Sequence, residues 1–143
     1  MAKHRILTLK DKIMVKKSLK SVEQYLPSQA EVERYEMLEK LLTSIYNEMK
    51  EFSKKKPEEL LNKFKVTNVN RVLVQIKEIM KNEPTNDFLD LLDEESLPSN
   101  SDSILIIGQF QAAMEQFRSK YYRAYSHAYG NNVWSTKESP KEF

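Results

Sequence analysis

Asn68, Asn70, Arg71 and Gln75 are side chains of the kinds that read nucleic-acid bases. Amide side chains carry the donor and acceptor pair that matches adenine, and an arginine fork matches guanine. The four stand at the start of an amphipathic stretch, Val69, Val72, Leu73, Ile76 and Met80, which follows a shorter apolar run of Leu60, Leu61 and Phe64. A short helix over 58–65 opened by Pro57, a break at Val66, Thr67 and Asn68, and a helix over 69–82 have the outline of a helix-turn-helix across 58–81. Against this stand a turn without glycine and a reading face with one arginine. Any helical bundle contains such a pair of helices.

A second constellation lies nearer the C-terminus. Arg118, Lys120, Arg123 and His127 are interleaved with Tyr122, the mixture that single-stranded nucleic acid uses: cations for phosphates and rings for bases. Lys16, Lys17 and Lys20, in a basic segment over 1–20, would add phosphate contacts. The competing account makes the rings core and leaves the cations in water. In the same region Phe117, Tyr121, Tyr125 and Tyr129 recur every four residues, which on a helix is one slowly drifting stripe. A stripe of that kind must be covered, and Tyr122 points away from it. Phe117, Tyr121, Tyr122, Tyr125 and Tyr129 are therefore the expected interface residues.

Other chemistry is poorly provided for. The chain has no cysteine, which removes disulfides, thiolate metal sites and thiol nucleophiles. Gly108 and Gly130 are the only glycines, too few for a phosphate-cradling loop. His4 and His127 stand far apart with no carboxylate at a metal-binding spacing. No catalytic, cofactor or metal residue is assigned, and no enzyme activity is expected. A segment over 83–102 holds Glu83, Asp87, Asp90, Asp93, Glu94, Glu95 and Asp102 with no lysine or arginine, around Phe88, Leu89, Leu91 and Leu92. This acidic connector could attract the basic N-terminal segment within a molecule or between copies, or simply face water. Its apolar cluster suits a short capping helix over 87–93.

The elements that would position these residues read as helices. Val15, Leu19, Val22 and Leu26 mark a first helix over 9–26, stopped by Pro27. Ser28 and Glu31 form a capping box for a second over 29–54, with an a/d seam of Tyr35, Leu38, Leu42, Ile45, Met49 and Phe52. A last long helix runs over 102–129, with Gly108 as a point of close helix approach and Gly130 as its left-handed stop. Residues 131–143 read as a loose tail from which Trp134 could fold back.

The 143 residues, 40% hydrophobic, suffice for one domain with a core. The expectation is an all-α single-domain bundle of about four to six helices over 1–130, ending in the aromatic helix. The functional expectation is a non-enzymatic interaction protein, self-assembling or a small accessory or regulatory subunit of a larger complex, with or without nucleic acid. The alternative is a DNA- or RNA-binding regulator. A protein partner or a second copy is expected, nucleic acid is a further candidate, and a membrane is not. A cytoplasmic setting fits a cysteine-free chain.

Overall fold

The computed structural model describes residues 8–10 and 25–143. The helix expected over 9–26 falls almost wholly outside these residues, as do Lys16, Lys17 and Lys20. Three α-helices follow: α1 Gln29–Lys55, α2 Lys63–Ile79 and α3 Asn100–Tyr121. A single-turn 3-10 helix, Pro84–Phe88, stands between α2 and α3. After α3 the chain makes an antiparallel hairpin of β1 Tyr122–Ala124 and β2 Asn132–Trp134, pairing Tyr122 with Trp134 and Ala124 with Asn132.

α1 forms as its sequence implies. The Ser28 hydroxyl accepts from the Glu31 amide and the Glu31 carboxylate accepts from the Ser28 amide, satisfying two orphan donors. Tyr35, Leu38, Leu42 and Met49 are buried, and Ile45 and Phe52 pack against the same cluster. α3 runs antiparallel to α1, with Asn100 donating to the Lys56 carbonyl at one end and Phe117 beside Tyr35 at the other. α2 closes the other side with Val66, Val69, Leu73, Ile76 and Ile79.

The all-α bundle of four to six helices is thereby corrected. The described residues hold three α-helices and a small two-stranded sheet, 62% helix and 7% strand. Three features account for the difference. Leu61 donates its amide to Pro98 and Asn100 donates to Glu59, so the segment after Pro57 pairs with the chain entering α3 instead of coiling. Asn62 then caps α2, accepting from the Lys65 amide, and the helix runs unbroken through Val66, Thr67 and Asn68. No helix-turn-helix exists over 58–81.

Next, the side chain of Asn70 takes both backbone groups of Leu92, donating to its carbonyl at 2.8 Å and accepting from its amide at 2.9 Å. This holds the acidic connector extended where a short helix was expected. Last, α3 starts at the Ser99 cap and stops at Tyr121, not Tyr129. Past Tyr121 the antiparallel α1 has run out, so a longer helix would have no apolar partner. Tyrosines there gain more from a pleated ladder under Trp134.

The segment 131–143 is not loose. β2 belongs to the hairpin, Ser135 and Thr136 are buried, and Lys137 donates its amide to Pro27. Glu138 accepts from the Gln29 amide at 2.9 Å, placing a carboxylate at the positive end of α1. Gly108 also departs from expectation: a Cβ built there meets nothing within 4 Å, so no helix approaches closely.

Candidate functional site

The junction of α1, α3 and the hairpin gathers the aromatic residues. The Tyr35 ring stacks on Phe117 at 5.1 Å, and Trp134 meets Tyr35 edge-on at 5.4 Å. Phe117 meets Tyr121 at 4.8 Å, and Tyr122 lies 5.0 Å from Trp134. Offset and edge-on contacts of this kind add to the apolar burial. Two members of the expected interface stripe, Phe117 and Tyr121, are thus core residues of the chain itself. Tyr122, turned the other way, finds its second neighbour in Trp134 of the same chain.

The polar rim of this nucleus is fully engaged. Tyr35 donates its hydroxyl to the Met114 carbonyl at 2.5 Å, and Trp134 Nε1 donates to Glu36 at 3.0 Å. Arg118 pairs with Glu39 at 2.9 Å while lying over the Tyr122 ring. Glu83, itself buried, accepts from Tyr121 at 2.6 Å and from Lys120 at 3.2 Å. Burial first, then the neighbouring carboxylates Glu39 and Glu83, pushes the Tyr35 and Tyr121 phenols far above the ordinary tyrosine range. Both stay protonated as donors, so neither can serve as a base or nucleophile near neutral pH. A groove between α1 and α3, about 430 Å³ and lined by Glu39, Thr43, Gln111, Glu115 and Arg118, opens over this rim.

The hairpin end is different in kind. Tyr125 donates its amide to Asn131, and the turn between them contains the 3-10 helix Ser126–Ala128. Tyr129 follows in the left-handed region, φ 55 and ψ 33, and Gly130 adopts φ 79. Among the described residues Tyr129 is the only non-glycine at positive φ. A bulky side chain there costs free energy, yet the Tyr129 ring is 98% exposed and recovers nothing from the fold. Around it, Tyr125 lies 5.0 Å from the His127 ring and 6.3 Å from Phe143, and Arg123 stands over Phe143 at 5.1 Å.

The nucleic-acid candidates are scattered. Arg118 and Lys120 are ion-paired, whereas Arg123 has no carboxylate within 4.0 Å among the described residues. Asn70 is buried and occupied with Leu92, and Asn68 donates to the Phe64 carbonyl. Gln75 accepts from Arg34. Arg71 is exposed on a shallow groove with Val74, Leu91 and Glu94, far from the hairpin cations. Among the described residues these side chains are not gathered on one face. Among the described residues no group of three His, Asp or Glu side chains is placed to hold a metal ion.

The hairpin itself was missed in the sequence. The signal for it was Gly130 followed by Asn131 and Asn132, turn residues set between β-forming Tyr122–Tyr125 and Val133–Trp134. Comparison with known proteins gives no match: no protein-family model, no curated protein and no solved structure matches this chain. Among the described residues no helix is long and apolar enough to cross a membrane.

Proposed function

We propose that this chain is a non-enzymatic interaction module that presents its C-terminal hairpin to a protein partner. The observation carrying this reading is Tyr129: a large ring held in an unfavourable backbone conformation and left almost wholly in water. Tyrosine at such a place supplies apolar area and a hydroxyl to a partner at little cost in side-chain entropy. The aromatic nucleus beneath fixes the hairpin from both strands, so the ring is displayed on a firm base. The engaged phenols and carboxylates of the nucleus support the non-enzymatic part of the reading. A cytoplasmic setting belongs to the same reading, supported by the cysteine-free sequence.

A photocrosslinking residue at position 127, in cells of the native host, tests it. A discrete protein adduct that disappears in Tyr129→Gly is expected. No adduct, or one indifferent to Tyr129→Gly, overturns the reading.

One observation favours a second reading, single-stranded nucleic acid on the same hairpin: Arg123 and Lys141 stand over the Phe143 and Tyr125 rings. Anisotropy titration with mixed-sequence oligonucleotides separates the two. Binding that weakens steeply with salt and with Arg123→Ala would favour nucleic acid over protein.

A further inference from the structure

Two surfaces away from the hairpin leave apolar side chains in water, and their charges are opposite. The first is the end of the molecule where α1 meets α2. Leu60 and Phe64 are 62% and 77% exposed there. Phe64 points away from the core because it lies nine residues, or half a turn out of phase, from buried Leu73. Lys54, Lys55, Lys56, Lys63 and Lys65 surround them, with Lys65 lying over the Phe52 ring at 4.4 Å. Lys54 and Lys56 have carboxylate partners in Glu51 and Glu59. Lys55, Lys63 and Lys65 have none within 4.0 Å among the described residues, nor has Glu58 a cation, so five lysines stand against Glu51, Glu58 and Glu59 at this end. The first turn of α2 contains no acidic residue, so the positive end of its dipole adds to the same field.

The second surface is the ridge made by the 3-10 turn and the extended connector after it. Phe88 is 73% exposed and Leu91 is also open. Asp87, Asp90, Glu94 and Glu95 flank them, and among the described residues none lies within 4.0 Å of a cationic nitrogen. Two cations lie beside the ridge: Lys77 is turned onto the carbonyls of Asn86 and Leu89, and Arg71 shares a groove with Leu91 and Glu94 without pairing within 4.0 Å among the described residues. The ridge is held in shape by the paired hydrogen bonds between Asn70 and Leu92.

The apolar tips of the two surfaces stand apart in one copy. Phe64 is in the first turn of α2, while Leu89, next to Phe88, is bound by Lys77 in the last, about 20 Å along the helix. Leu91 lies between them, beside Asn70 and Arg71. We propose that the acidic Phe88–Leu91 ridge of one copy docks on the basic Leu60–Phe64 end of a second copy, giving head-to-tail self-association. Opposite charge and exposed apolar side chains on both sides argue for this occupant. The two surfaces differ, so the contact is heterologous and each added copy leaves one surface open. The patches are small, so association is weak and falls as salt rises. The contact uses none of the hairpin residues and is independent of the hairpin reading.

Light scattering of the purified, nuclease-treated full chain tests it. Mass should rise with concentration at low salt and return to monomer at ~1 M salt, where charges are screened within about 3 Å. Asp87→Lys with Asp90→Lys, and separately Lys55→Glu with Lys63→Glu, should each be monomeric. Their equimolar mixture should regain association, because each variant keeps one intact surface and the two reversed surfaces are again opposite in charge. Phe88→Ser should weaken association at least tenfold, a check that does not depend on the charge reversals folding. Wild type that stays monomeric, association that survives both reversals, or a mixture that stays monomeric overturns the proposal. So does assembly that appears only when nucleic acid is added, or that is abolished by Tyr129→Gly.

Discussion

Asn70 is where residue chemistry and expectation part most instructively. Its amide has the donor and acceptor pair that would match adenine, and the fold spends that pair on the peptide groups of Leu92. Asn70→Ala leaves a buried amide and carbonyl without partners, which should cost on the order of 2–4 kcal/mol. The connector should also become the first site of proteolysis, and limited digestion with urea denaturation measures both effects. Leu42, buried at the centre of the α1 seam, should cost roughly 2–5 kcal/mol as Leu42→Ala. A denaturation midpoint unchanged by that substitution would remove the seam from the core. Tyr35 and Tyr121 set the alkaline limit. In the fold their phenols hold protons well above the ordinary value of 10.0, whereas unfolding releases those protons above that value. Stability is therefore full below about pH 10 and declines as pH rises. In an alkaline titration, tyrosinate absorbance from these two residues should appear together with loss of helical circular dichroism.

Elements differ in how far they were legible. α1 was readable because everything that makes it is local: a capping box, a seam at alternating threes and fours, and lysines at its end. α2 was readable as an apolar pattern, but its start was misplaced, since the competing pairing of Leu61 with Pro98 lies far away in the chain. The aromatic ladder misled for a related reason. Spacing of four describes one stripe only while the chain stays helical, and α3 stops after Tyr121. Phe117 and Tyr121 obey the helical period, whereas Tyr125 and Tyr129 belong to the hairpin. Of the candidate site, the residues were legible and the geometry was not, because Trp134 reaches Tyr35 across most of the sequence. At the hairpin, Tyr129→Gly removes the backbone penalty and should raise stability by about 1 kcal/mol or less, after the extra unfolded-state entropy of glycine is discounted. Thermal melts check the sign. A stabilised variant that has lost its crosslinked partner is the combined outcome expected of a functional ring.

At the scale of the whole molecule, charge sorting matters more than the small net charge of +2. Among the described residues Lys55, Lys63 and Lys65 of the basic end and Asp87, Asp90, Glu94 and Glu95 of the ridge form no ion pair, so solution behaviour should depend strongly on ionic strength although the net charge is nearly balanced.

The embrace between the two ends of the described body has a consequence for how the protein is made. Pro27 and Gln29 receive their partners from Lys137 and Glu138, and the slot beside Tyr35 is filled by Trp134. α1 is thus completed by residues translated long after it, from beyond the hairpin. Synthesis runs slower than local folding, so α1 must wait, half-finished, for its lid. Contacts of such long sequence separation also slow the final step once the chain is free. Nascent chains arrested with residues up to 130 exposed should remain open to protease, and those exposing residue 143 should resist it.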